Sequence, residues 1–207
     1  MESALRDGAG EPGLKLIETM RWDGAGVPRL ALHLARLRAG AVALGWTCPP
    51  DVGARLAAVG PDGPARMRLT LDAAGEVRVE VSVLPPAGAL WQVGLAAERL
   101  VSGDPWLRVK STRRGAYDRA RAALPAGLDE VIFANERGEV CDGSITTVFF
   151  DRGAGRRTPP LSAGLLPGVL RAEMGCPEEV LRVEDLGRVH LWLGNALRGL
   201  MPARFVG

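Results

Sequence analysis

Apolar side chains recur along this chain in two rhythms. Leu14–Trp22, "LKLIETMRW", alternates well enough to predict a strand. "WDGAGVPR" then turns the chain. In "LALHLARLRAGAVALG" the apolar positions Leu30, Leu34, Leu37, Ala41 and Leu44 keep the spacing of one helix face, and Gly45 is a natural stop. Asp51 is placed to cap a short helix running through Ala58. "ARMRLTL" and "EVRVEVSVL" predict a hairpin around "DAAGE", because Val77, Val79, Val81 and Val83 alternate with charged or polar residues. Residues 1–13 are Gly-rich and polar and are expected to be loose.

"LPPAGAL" (Leu84–Leu90) puts two prolines and a glycine between patterned segments. It is the natural linker, so the expected division is a small N-terminal α+β domain over 1–87 and a C-terminal domain over 88–207. The second half opens with a predicted strand over Trp91–Ala97. "TRRGAYDRARAAL" predicts a helix. "DEVIFANERGEVCDGSITTVFF" predicts two strands joined by a turn, and "DRGAGRRTPP" a flexible loop. "LLPGVLRAEM" is a turn entering a helix at about Val169, and "VHLWLGN" a late buried strand. Strands dominate, with helices against them, so the fold class is α+β in each half.

Composition narrows the function classes. The 207 residues, 47% hydrophobic, suffice for a sizeable core, and the net charge of +2 gives no case for nucleic acid or an acidic membrane surface. Cys48, Cys141 and Cys176 are far apart and odd in number, which favours buried apolar roles over a disulfide framework or zinc site. No apolar run resembles a signal peptide or a membrane span, so a cytoplasmic protein is expected.

The basic residues are 24 Arg and only two Lys, Lys15 and Lys110. Lys110 follows Trp106, Leu107 and Val109, a setting for a partly buried strand end. Arginine cannot replace lysine where the amine itself must react, because guanidinium stays protonated. "VKST" is no P-loop, since no glycines precede the lysine. Asp142 before Gly143 suits either a turn or a carboxylate facing a cofactor. The Pro-Gly turn before Val169 and Leu170 would aim their N–H groups at an anion. His33 and His190 are isolated, with core or solvent-edge roles expected, and no metal cluster follows.

Six segments, in order, resemble the class IV (fold type IV) aminotransferase family of pyridoxal-phosphate enzymes: "IETMR", "HLARL", "VKSTRRGAYDRAR", "DEVIFANERGEVCDGSITTVFF", "LLPGVLR" and "LGNALRGLMP". The resemblance implies a two-domain fold like that of D-amino acid and branched-chain aminotransferases: a small N-terminal α/β sandwich and a larger, β-barrel-like C-terminal domain. It implies that Lys110 holds pyridoxal 5'-phosphate covalently, and that Arg36 binds its phosphate with two charge-assisted hydrogen bonds. Val169 and Leu170 would add backbone N–H groups, Ala196 would close the cup, and Asp142 would face the pyridine nitrogen. The sequence departs from the family in carrying Asp142 for the usual Glu, Ala196 for a common hydroxyl residue, and "EPGLKLIETM" for a longer N-terminal stretch.

The compact frame resembles that of 4-amino-4-deoxychorismate lyases, which release 4-aminobenzoate and pyruvate for folate synthesis. The alternatives are an aminotransferase acting on D- or branched-chain amino acids, or a cofactor-binding homologue without catalysis. The resemblance also implies a small-molecule amino substrate and a homodimer. Arg99, Arg113 and Arg114 are candidates for the substrate carboxylate.

Overall fold

The computed structural model describes residues 2–86 and 90–207. The chain forms two compact units: Met1–Pro86 with Val109–Arg113, and Ala87–Arg108 with Arg114–Gly207. The boundary expected at 87/88, within "LPPAGAL", falls at residues outside those described.

The first unit is built on an antiparallel sheet of β1 (Leu16–Trp22), β2 (Ala65–Leu71) and β3 (Val77–Ser82), in that order. The register sets Leu16, Glu18, Met20 and Trp22 opposite Leu71, Leu69, Met67 and Ala65. All eight are buried, so this is the core face. Each buried Leu or Met contributes about 1.5–3 kcal/mol relative to exposure. Helix α2 (Leu30–Leu44) covers this face, close enough that a Cβ on Gly40 would lie 3.1 Å from Leu16 Cδ2. Its buried positions are His33, Leu37, Ala41 and Leu44, and Gly45 ends it in the left-handed conformation. The buried stripe therefore departs from the apolar pattern: His33 enters it, whereas Leu30 and Leu34 stay half-buried.

Two local expectations change. Residues 2–8 are not loose but form helix α1 (Glu2–Gly8). Leu5 and Ala9, four apart, are both buried, and that pair outweighs the flanking glycines. Asp51 does precede helix α3 (Val52–Ala58), but its carboxylate makes no cap and instead pairs with Arg55 at 3.0 Å.

The second unit is a closed barrel of β4 (Trp91–Leu100), β5 (Glu130–Asn135), β6 (Val140–Gly143), β7 (Thr147–Asp151), β8 (His190–Asn195) and β9 (Gly199–Phe205). Every residue of β5 is buried because its two faces serve two cores. Ile132 joins Val93, Val148 and Phe150, while Val131 and Phe133 join Leu100, Cys141 and Leu165. A continuous apolar run is what such a strand requires. Helix α4 (Gly115–Ala122) packs on β4 and β5, and α5 (Val169–Met174) on β8.

"EVCDGSITTVFF" is two strands rather than one, broken by the 144–146 turn. The loop expected to be flexible is a built one: Asp151 Oδ1 accepts the N–H groups of Gly153 and Gly155, and Arg156 stacks on Trp192 at 4.7 Å. Strand β9 carries no clear alternation because Gly199 and Pro202 interrupt it; pairing with β8 and β4 makes it a strand. Cys141 is buried, but Cys48 and Cys176 are only half-buried, and all three thiols are free. His190 is exposed. Among the described residues no helix is long and apolar enough to cross a membrane.

Candidate active site

In the first unit, Val109–Arg113 adds to the edge of β1. Ile17 N donates to Lys110 O at 2.8 Å, Thr112 N to Lys15 O at 2.8 Å, and Leu16 bridges Ser111. The Thr112 hydroxyl also accepts Lys15 N at 2.9 Å. Hydrogen bonds on both sides of Ser111 fix the direction of each side chain. Directly opposed residues in an antiparallel pair share a face. Ser111 therefore turns to the core beside Leu16, and it is buried. Lys110, opposite Ile17, turns to the other face and is half-buried.

Glu18 lies on the core face and is 2% exposed. Arg36 grips it with both prongs, Nε to Oε1 at 2.8 Å and Nη2 to Oε2 at 2.6 Å. His33 Nδ1 meets Oε2 at 2.6 Å. Burial pushes the Glu18 carboxyl up, but the Arg36 charge and the hydrogen bonds from Arg36 and His33 outweigh it, and the group is held below its ordinary range. The two-pronged contact expected of Arg36 toward a phosphate is thus made to Glu18. Two of its five N–H groups are committed there, and the guanidinium plane is fixed.

The face that Lys110 shares with Ile17 also carries Thr19 and Arg21 of β1, opposite Arg68 and Arg66 of β2. Arg21 and Arg66 are cross-strand partners of like charge, an unfavourable arrangement by itself. Among the described residues neither makes a close ion pair, although the Arg21 charge is felt by Asp23; Arg66 reaches the Ser82 hydroxyl at 3.4 Å. Arg68 stands opposite Thr19 on one side and Glu80 on the other. This basic row suits an anion. Sequence reading missed it because the basic residues belong to strands that pair only in the fold. The three arginines it offered instead have partners of their own, Arg113 a distant one. Arg99 donates to Ala96 O, Arg113 pairs with Glu11 at 2.7 Å, and Arg114 with Asp118 at 2.7 Å.

The second unit gathers Asp142, Val169, Leu170 and Ala196 around one row of the barrel. Asp142 on β6 pairs with Thr147 on β7, and Thr147 with Gly194 on β8. Asp142 is 5% exposed, and its Oδ2 accepts Leu166 N at 3.0 Å. It is therefore a strand carboxylate rather than a turn residue. Gly168 N-caps α5 and comes so close to Thr147 that a Cβ would sit 2.6 Å from its hydroxyl; a Cβ on Gly194 would sit 2.6 Å from Leu170 Cδ2. These glycines let the α5 turn, with Val169 and Leu170 at its start, press onto the row. The first N–H groups of a helix have no acceptor within it. Ala196 follows Asn195, whose Oδ1 accepts the N–H groups of Leu197 and Arg198 at 3.1 and 2.9 Å and so shapes the β8–β9 loop.

Tyr117 on α4 had no assigned role. Its ring meets Phe133 edge-on at 4.9 Å, with Arg114 at 5.6 Å. Burial first, then the negative charge of Asp142, pushes its phenol well up, so it stays a hydrogen-bond donor. In the first unit stand an amine on a backbone-locked strand and a fixed guanidinium; in the second, a buried carboxylate and the amides of a helix start. The amine suits carbonyl chemistry, and the guanidinium and amides suit an anion.

Comparison with known proteins agrees with that chemistry. The model of the family "Amino-transferase class IV" matches residues 15–206. A Schizosaccharomyces pombe protein provisionally named aminodeoxychorismate lyase is 29% identical over 167 residues, covering 77% of this chain and 72% of its own. A crystal structure from Mesorhizobium loti, provisionally named an amino-acid aminotransferase, is 42% identical with a TM-score of 0.88, covering 93% of this chain and all of its own. One from Thermotoga maritima, provisionally a branched-chain amino acid aminotransferase, is 23% identical with a TM-score of 0.81, covering 99% of this chain and 80% of its own. It shares the fold.

Proposed function

This chain belongs to the class IV aminotransferases, and from that premise we propose that it is the lyase that converts 4-amino-4-deoxychorismate to 4-aminobenzoate and pyruvate. It is a pyridoxal-phosphate-dependent enzyme acting on a small amino substrate. The donor set fits the cofactor. An aldehyde asks for an amine, a pyridine nitrogen for an acid, and a phosphate for cations and N–H groups. Lys110, Asp142, Arg36 and the amides of Val169 and Leu170 are of those kinds. Ala196 would contribute main chain, since it lacks a hydroxyl.

When bound, the cofactor supplies an electron sink that acidifies the carbon bearing the substrate amine. The Lys110 amine would take the proton from that carbon, and as the ring C–O bond to the enolpyruvyl group breaks it would return a proton to the departing methylene carbon, giving pyruvate. Asp142 would keep the pyridine nitrogen protonated through its negative charge, and Arg36, oriented by Glu18, would hold the phosphate.

The observation that carries the lyase reading is the basic row of Arg21, Arg66 and Arg68 on the face that Lys110 shares. The proposed substrate has two carboxylates, whereas a branched-chain amino acid has one. Pyruvate release from enzymatically made 4-amino-4-deoxychorismate tests the reading. Wild type should release pyruvate, and Arg68→Gln should raise KM by roughly 10–100-fold, the worth of a charge-assisted hydrogen bond. The M. loti relative favours a second reading, transamination. Conversion of the cofactor to its amine form by an amino donor, with no pyruvate from the chorismate substrate, would establish it instead. A homodimer is expected, and light scattering that finds an active monomer would refute that.

A further inference from the structure

Glu130 opens β5 with its side chain fully buried. Its Oε1 accepts Val131 N at 3.0 Å, Ser144 N at 3.2 Å, the Ser144 hydroxyl and Arg121 Nη1 at 3.4 Å. Its Oε2 accepts Ile145 N at 3.2 Å and the Thr146 hydroxyl at 3.3 Å. A carboxylate offers about four lone-pair sites, and four of the six donors here come from one short segment. That segment, 144–146, is the turn between Asp142 on β6 and Thr147 on β7. Gly143 completes the fit, since a Cβ there would run into the Thr146 hydroxyl and lie 3.2 Å from the Glu130 carboxyl carbon.

The same turn is tied to the next strand pair. Asn195 Nδ2 donates to Ile145 O at 3.1 Å, while its Oδ1 takes the N–H groups of Leu197 and Arg198. One continuous set of hydrogen bonds thus runs from Glu130 through the 144–146 turn to the loop that holds Ala196. The two places proposed to touch the pyridine ring and the phosphate are joined by it.

We infer that Glu130 is a positioning residue for cofactor binding, which holds Asp142 at its working depth and, through Asn195, shapes the phosphate loop. This rests on the reading of Asp142 given above. A merely structural carboxylate could be exchanged for its isosteric amide at little cost to the cofactor. Here the amide fails, because an –NH2 cannot accept from the N–H and O–H donors that converge on it.

The test is a double-mutant cycle on cofactor affinity, read by fluorescence quenching as pyridoxal phosphate is added to apoenzyme, together with amide exchange at Ser144 and Ile145. Glu130→Gln is expected to weaken the cofactor at least 10-fold and to speed exchange at both amides, with far-UV circular dichroism unchanged. In an Asp142→Asn background the same change should weaken the cofactor by clearly less than in wild type, only the route through Asn195 to the phosphate loop remaining. If Glu130→Gln does not fold, Ser144→Ala, which removes one hydroxyl from the carboxylate, takes its place, with a smaller but equally coupled loss. Equal losses in both backgrounds, or none in either, would overturn the inference. If Asp142→Asn alone leaves affinity and spectrum unchanged, the Asp142 reading falls and the inference with it. A normal cycle without pyruvate release would sink only the lyase reading.

Discussion

Among the described residues each unit buries one glutamate almost completely, and the two are satisfied in opposite ways. Glu18 in the first unit is met by the Arg36 guanidinium and the His33 ring. Glu130 in the second is met mainly by backbone N–H groups and hydroxyls of a single turn, with Arg121 at the margin at 3.4 Å. A charge met by charge fixes side chains, here the plane of Arg36. A charge met by dipoles fixes main chain, here the 144–146 turn. The first arrangement suits a cation that must face an anion. The second suits a strand end that must hold Asp142.

The largest expected effect removes the reactive amine while leaving both glutamates in place. Lys110→Ala should cut turnover by about 10³-fold or more and abolish the borohydride-reducible cofactor adduct, seen by mass spectrometry. Retention of that adduct at its normal site would exclude Lys110. Next comes Glu18→Ala, which takes the carboxylate away from the half-buried Arg36 and the buried His33. Breaking a buried pair this way costs about 3–5 kcal/mol, measured by urea denaturation. A loss below about 1 kcal/mol would mean that neighbouring groups or water replace the carboxylate. Gly143→Ala presses instead on the dipole-held turn and should cost about 1–3 kcal/mol through overpacking. Adding Thr146→Ala should recover part of it; no recovery would place the strain elsewhere.

The smallest effect is a pH dependence. Against the upward push of burial, the Arg36 charge and the hydrogen bonds from Arg36 and His33 hold the Glu18 carboxyl below its ordinary value of 4.5 in the folded state. Its stabilisation is therefore present above that value and is lost as pH falls through the lower, folded one. Wild type should lose stability more steeply than Glu18→Gln below about pH 4.5. Parallel curves would show that other carboxylates govern acid unfolding.

Local pattern carried much of the framework. Helix α2 appears from Leu30 to Leu44 with Gly45 at its end, and the β2–β3 hairpin forms around Asp72, whose Oδ1 accepts Ala74 N and Glu76 N. Such features depend on neighbours within a few residues, so a single sequence displays them. Strand β9 was invisible because its hydrogen bonds come from β8 and β4, distant in sequence. The break between β6 and β7 was invisible for the same reason: Glu130, which bends the turn, sits fourteen residues before Ser144.

The candidate site divides in the same way. The sequence by itself determined which reactive groups exist: a chain nearly emptied of lysine keeps Lys110, and a strand-turn-helix segment presents the amides of Val169 and Leu170. Reactivity is a property of the side chain and is written in its letter. Only the tertiary structure decided what those groups face and what holds them. Lys110 shares a face with Arg21, Arg66 and Arg68 because of antiparallel register. Arg36 is aimed by Glu18, and Asp142 is set by a buried carboxylate on another strand. Orientation and burial come from contacts between residues far apart in the chain, and no local spacing encodes them.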